Sequence, residues 1–197
     1  VGAVSAGPEP ARRAATSRER WRYRHPMRRI LVVGSSGAGK STLAGELARR
    51  LDLPLIHLDR HYWRPGWVAP TGDEFRAEVA ALAARPAWVM DGNYAGTLDL
   101  RLPRADLLVL CEPHRLRCLV RVLRRRWARR VAPRPDLPEG CPERVDVGLL
   151  RYVWRYPRHS RPRVLGAVAA YAPGLPVRRL RDRRDVARFL AGWGKQP

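Results

Sequence analysis

The sequence is almost without lysine: of its 39 basic side chains, all but Lys40 and Lys195 are arginine. A chain that writes nearly every cation as arginine keeps a lysine at position 40. A slim, flexible ammonium fits there where a planar guanidinium would be too bulky. Cysteine is also scarce. Cys111, Cys118 and Cys141 are odd in number, and no two stand in C-x-x-C spacing. That excludes a disulfide framework and a zinc ribbon and points to a reducing compartment, so a cytoplasmic location is expected. Long hydrophobic runs are missing as well. The longest, residues 164–172, falls far short of the ~20 apolar residues needed to span a bilayer. No secretory apolar region is visible, and no membrane partner is expected.

Acidic residues are few, 18 against 39 basic ones, which gives a formal charge of +21. Such an excess suggests a polyanion partner such as nucleic acid. Three observations weaken that reading. The arginines are spread through the chain and are densest at 121–130. Many prolines and alanines accompany them, as coding bias would produce. An enzyme that handles phosphates also needs arginines. Nucleic acid is therefore the less favoured partner. At 197 residues the chain is long enough for one domain with a substantial core. Its oligomeric state is not legible.

What the sequence does contain is Gly34-Ser35-Ser36-Gly37-Ala38-Gly39-Lys40-Ser41-Thr42, directly after the apolar run Ile30-Leu31-Val32-Val33. It satisfies G-x-x-x-x-G-K-S/T at every fixed position, and Leu43, Leu47 and Leu51 follow at helical spacing. Glycines let the backbone double back so that several N–H groups converge on a phosphate chain, and the new helix adds its positive end. Residues 34–42 are thus expected to bind the cofactor, ATP. Lys40 would reach the β- and γ-phosphates and the Ser41 hydroxyl would ligate Mg²⁺.

Around that loop the chain alternates strands and helices. Residues 1–26 carry no hydrophobic period and are expected to be disordered. They read either as a basic targeting peptide or as sequence upstream of a start at Met27, and the second is favoured. Further strands are expected at 55–58, 88–90, 107–110 and 177–180. Thr71 and Glu74 form a capping box for a helix that carries Phe75, Val79 and Leu82. Helices are expected at 142–156 and 163–171. Asp182 opens a last helix, with Val186, Phe189, Leu190 and Trp193 on one side. The proline-rich stretch 131–142 reads as a loop, so a lid is expected around 126–160 within one ordered domain, 27–197. Apolar strands without in/out alternation imply a parallel sheet covered on both faces, an α/β fold.

The chain resembles the bacterial adenylate-kinase-related P-loop proteins labelled DNA topology modulation protein. The resemblance rests on GSSGAGKSTLA (34–44), HLDRHYWRPGW (57–67), DGNYAGTLDLRLPRAD (91–106), RVLRRR (121–126) and RPDLPEGCPERVD (134–146), and runs from about 27 to 190. It implies a P-loop NTPase three-layer sandwich with five parallel strands, nucleoside-monophosphate-kinase-like, with a helical lid. The implied activity is transfer of the ATP γ-phosphoryl group to a small molecule: a nucleoside, a nucleotide or a sugar-like acceptor. The group's label keeps a second function open, a nucleotide-dependent DNA-binding regulator without turnover.

In such a sheet, ligands sit beyond the carboxyl ends of the strands, which brings the phosphate loop, Asp59 and Asp91 to one crevice. The resemblance implies that Asp91 holds Mg²⁺ through water; otherwise it is a turn residue before Gly92. Asp59 either takes a proton from a hydroxyl acceptor or caps its loop and pairs with Arg60 or Arg64. Trp63, Trp67 and Tyr94 form either a stacking wall or core. Asn93 and Tyr94 are expected to face the acceptor, with Arg101 on the same side. Arg121, Arg125 and Arg126 match in spacing the arginines that precede the lid in adenylate kinases, which implies phosphate clamping. Arg151 and Arg155 are expected to close from the far side. His57 and His61 lack the helix a metal pair requires.

Overall fold

The computed structural model describes residues 27–128, 136–141 and 145–193. The expected disorder of 1–26, part of the lid stretch and the Arg126 side chain lie outside the described residues. Five apolar runs form strands: β1 (Arg29–Gly34), β2 (Leu55–His57), β3 (Trp88–Asp91), β4 (Leu107–Cys111) and β5 (Val177–Leu180). They pair in the order β2-β3-β1-β4-β5, every pair parallel. The helices are α1 (Lys40–Leu51), α2 (Leu58–Tyr62), α3 (Gly72–Ala84), α4 (Leu98–Arg101), α5 (Arg115–Ala128), α6 (Val147–Tyr171) and α7 (Arg183–Ala191).

Alternate residues of one strand feed two different cores, which is why the strands read as unbroken apolar runs. Ile30 and Val32 pack with Leu43 and Leu47 of α1, Cys118 and Val122 of α5, and Trp193 beyond α7. Leu31 and Val33 face the other way, onto Phe75, Val79 and Leu82 of α3 and Leu98 of α4. Each such buried side chain contributes about 1.5–3 kcal/mol. The α3 capping box is complete: the Glu74 N–H donates to Thr71 Oγ1, and the Thr71 N–H donates to Glu74 Oε2. Among the described residues no helix is long and apolar enough to cross a membrane.

One expectation fails. The two helices at 142–156 and 163–171 are a single helix, α6, which runs through Pro157 and Pro162. A proline inside a helix costs about 3 kcal/mol because it removes one N–H and crowds the preceding turn. The helix continues because both of its halves are anchored. Val153 belongs to the core on the α1 side, and Val164 and Val168 to the core on the α3 side. Thus α6 crosses from one layer to the other and contributes Tyr152, Ser160 and Arg163 to the cleft at the carboxyl ends of the strands.

At Gly34 the strand must turn where β1 and β4 touch. Its φ is +153°, and a Cβ there would sit 2.4 Å from the Cys111 carbonyl oxygen. The contact is with backbone, so a rotamer change cannot relieve it. A Gly34→Ala protein is expected to lose about 1–3 kcal/mol or more of stability. Urea unfolding measures this, and an unchanged midpoint would refute the fit.

Candidate functional site

The loop from Gly34 to Gly39 exists because two glycines take left-handed backbone, Gly37 at φ 75° and Gly39 at φ 91°. The Ala38 N–H closes the turn on the Ser35 carbonyl at 3.1 Å, and α1 starts at Lys40. Lys40 Nζ donates to the Ser35 carbonyl at 3.2 Å, so the ammonium lies back across the loop. Ser36, Gly37, Gly39, Lys40, Ser41 and Thr42 line a cleft of ≈ 1040 Å³. Gly34 and Ser35 are buried, and Ala38 faces a neighbouring pocket of ≈ 650 Å³ with Leu43, Leu180, Asp182, Arg183, Val186 and Leu190.

Arg121 and Arg125 both line the cleft. Arg121 donates to the Gly37 and Ala38 carbonyls at 3.3 and 3.4 Å, which sets its guanidinium over the phosphate loop. Arg151 and Arg155, expected to close on this space, are exposed and belong to the outer face of α6. Of the α6 cations, Arg163 is the one that reaches the cleft.

Asp59 opens α2 and lines the same cleft. It accepts a hydrogen bond of 2.6 Å from the Tyr94 hydroxyl rather than pairing with Arg60 or Arg64. Burial, followed by the Asp59 charge, pushes the Tyr94 phenol far above its usual range, so it stays a neutral donor. Tyr94 sits at φ 29°, a conformation side chains rarely adopt. What holds it there is Arg101. This side chain is 0% exposed and donates to the carbonyls of Gly92, Asn93, Tyr94 and Thr97. Burial pulls its pKa down to about 10, so it remains charged at neutral pH. Arg101 therefore corrects the expectation of an acceptor-side cation: it braces the Tyr94 turn from behind.

Asn93 lines the cleft, but its amide is engaged with the phosphate loop. The Gly34 N–H donates to Oδ1 at 2.9 Å, while Nδ2 donates to the Gly34 carbonyl at 2.6 Å and to the Tyr152 hydroxyl. It clamps the end of β1 rather than standing open to an acceptor. Trp63 and Trp67 also line the cleft, ring centroids 5.1 Å apart and inclined by 69°. Tyr62, Phe75 and Tyr94 form an aromatic cluster beside them.

Asp91 does not reach the cleft surface. It ends β3 at 3% exposure, with Oδ2 3.2 Å from His57 Nδ1 and off hydrogen-bond alignment. Burial works against a charged His57 ring, but Asp91 and, beyond it, Asp136 outweigh burial and raise the imidazole above its ordinary 6.5. A raised value means that protonated His57 stabilises the fold below about pH 6.5 and that this is lost as pH rises through the native value. Urea midpoints from pH 5 to 8 are expected to fall more steeply for wild type than for His57→Gln. Parallel curves would show that the pair contributes nothing.

Among the cleft residues not assigned a role from the sequence are Asp136, Tyr152, Ser160 and Arg163, and His57, which was weighed only as half of a metal pair. Asp136 accepts a 2.9 Å hydrogen bond from Ser41 Oγ across 95 residues. In the sequence it stands in the proline-rich stretch and within the motif RPDLPEGCPERVD, without a partner to mark it. The described segment 136–141 continues onto the tryptophan loop, where the Gly66 N–H donates to the Gly140 carbonyl and Cys141 Sγ to the Arg64 carbonyl. It thereby joins Ser41 to the loop that carries Trp63 and Trp67.

No family model and no curated protein matches this chain. Among solved structures it is similar to a shikimate kinase from Acinetobacter baumannii in complex with shikimate. The TM-score is 0.52 and the identity 19%, over 84% of this chain and 89% of that one. It is also similar to a gluconokinase from Sinorhizobium meliloti 1021, with TM-score 0.50 and 18% identity over 86% and 91% of the two chains. At that identity the likeness is one of fold, and it agrees with the five-stranded parallel sheet: the chain has the architecture of the P-loop, nucleoside-monophosphate-kinase-like domains.

Proposed function

We propose that the protein is an ATP-dependent kinase that transfers the γ-phosphoryl group to a hydroxyl of a small molecule. The observation that carries this is one cleft lined both by the phosphate loop and by Asp59, held by Tyr94. Ser36–Thr42 would hold the triphosphate, with Lys40 and Arg121 placed to meet its outer phosphates. The neighbouring pocket flanked by Asp182 and Arg183 would take the adenine. The acceptor's hydroxyl oxygen bonds to the γ-phosphorus as the bond to the β,γ-bridging oxygen breaks. Its proton passes to Asp59, and ADP leaves. Trp63 and Trp67 support a ring on the acceptor and, with segment 136–141, exclude water.

The donor set suits Mg²⁺. Ser41 Oγ and the Asp136 carboxylate are hard oxygen ligands in contact, and Asp91 has a buried oxygen without an aligned donor. When bound, the ion would neutralise charge on the phosphates, with Ser41 and Asp136 holding it and Asp91 behind. We place the protein with the DNA topology modulation group on residues 57–67 and 91–106, which furnish the acceptor wall, and in the cytoplasm as one domain over 27–197.

The two named neighbours are described as a shikimate kinase in complex with shikimate and as a gluconokinase. An acceptor panel therefore starts from hydroxy acids, sugars and nucleosides, incubated with ATP and Mg²⁺ and read as phosphorylated product. Product from one class supports the proposal. Slow ATP hydrolysis that no acceptor diverts, together with salt-dependent duplex binding, would move the assignment to the DNA-binding reading.

A further inference from the structure

A second cavity, of ≈ 280 Å³, lies between the end of β4, the first turn of α5 and the middle of α6, with Ser35 of the phosphate loop on its wall. Around it are four buried polar atoms without a hydrogen-bond partner among the described residues: Ser35 Oγ, Tyr156 Oη, Arg161 Nε and Glu112 Oε1. Ser35 is 5% and Tyr156 3% exposed, and the Glu112 side chain is 8% exposed. Buried polar groups are ordinarily paired, so several on one cavity wall mark a place built to receive something.

The chemistry of the wall narrows what that is. Glu112 is already neutralised, because Oε2 accepts from Arg179 Nε at 2.6 Å. Arg161 Nε forms an ion pair with Glu112 Oε1 at 3.7 Å, a separation too long for a hydrogen bond, so among the described residues its N–H has no hydrogen-bond acceptor. With His114, Arg115 and Arg158 also on the wall, the field favours an anion. The free donors are then two neutral hydroxyls and one guanidinium N–H, which suits an oxyanion. The remaining wall is apolar: Cys111, Cys118, Pro113, Val153 and Pro157. Burial pushes the Cys111 thiol up to about 12, so it is neutral, and no metal-binding group of three or more His, Cys, Asp or Glu occurs among the described residues. The volume falls just below the roughly 300–1,000 Å³ of pockets that take drug-sized ligands, and so suits a smaller molecule.

We infer that this cavity binds a small aliphatic carboxylate, its oxyanion on Ser35, Tyr156 and Arg161 and its short chain among Cys111, Cys118, Val153 and Pro157. The site stands apart from the kinase cleft but touches its loop. Ser35 supplies the carbonyl that holds Lys40, and the Cys111 and Cys118 carbonyls abut Gly34 and Gly37.

The test is calorimetric titration of the nucleotide-free full chain with sodium butyrate against sodium chloride at matched ionic strength. Because no nucleotide is present, its outcome is independent of the kinase proposal. One-site saturable binding is expected. Tyr156→Phe should weaken it by about tenfold, the scale of one hydrogen bond to a charged group, and Arg161→Met at least as much. Circular dichroism melts verify that both variants fold. Absence of saturation, as a cavity filled only by water would give, overturns the inference. So does equal affinity in wild type and Tyr156→Phe, or inorganic phosphate binding in place of butyrate.

Discussion

A Lys40→Met protein is expected to fold and melt like wild type and to transfer no measurable phosphoryl group. Methionine matches the length and apolar stem of lysine and deletes only the ammonium. That ammonium donates to the Ser35 carbonyl of its own loop, a local hydrogen bond whose removal costs the fold little. In the kinase reading the same group stands against the β- and γ-phosphates, where charge builds as the bond to the leaving oxygen stretches. Loss of a preorganised donor of this kind lowers turnover by at least about 10²–10³-fold. The measurement is product formation in the acceptor panel, with a thermal melt as control. Retained turnover in a well-folded variant would remove the phosphate loop from the chemistry. Arginine at position 40 is expected to fail as well, because a planar guanidinium cannot replace a compact point charge beside the loop backbone.

Asp59→Asn is expected to leave ATP affinity intact and to lower kcat by roughly 10²–10⁴-fold, the range for a positioned general base. The carboxylate is held by Tyr94 at 2.6 Å, and asparagine can accept the same hydrogen bond, so geometry survives while basicity is lost. Tyr94→Phe frees Asp59 to rotate and should lower kcat less than Asp59→Asn does. A hydroxyl acceptor requires this order. If the natural acceptor is already a phosphate, no base is needed, and Asp59→Asn would leave kcat unchanged and raise only the acceptor KM. The two substitutions therefore separate acceptor classes that share one fold.

Other roles in the cleft came into view only with the coordinates. Arg101 is expected from the sequence on the acceptor side, yet it is buried and braces four carbonyls. Nothing in the spacing DLRLPR distinguishes a brace from a substrate cation. Asn93 follows Asp91-Gly92 as a substrate residue would, but its amide is spent on Gly34, 59 residues away. The continuity of α6 through two prolines contradicts the local rule, because packing at both ends outweighs a penalty that is counted residue by residue.

The sequence by itself determined the five strands, their parallel pairing class, the phosphate loop and the α3 cap. Each of these is written in neighbouring residues: an apolar run buried on both faces, glycines at fixed spacing, a threonine three residues before a glutamate. Only the tertiary structure decided that Asp59 belongs to Tyr94, that Asp136 stands on Ser41, and that Asp91 lies behind His57. Those partners are 35, 95 and 34 residues apart and meet at the carboxyl ends of different strands. A side chain's chemistry there depends on which distant group completes its hydrogen bonds, and periodicity carries no record of that.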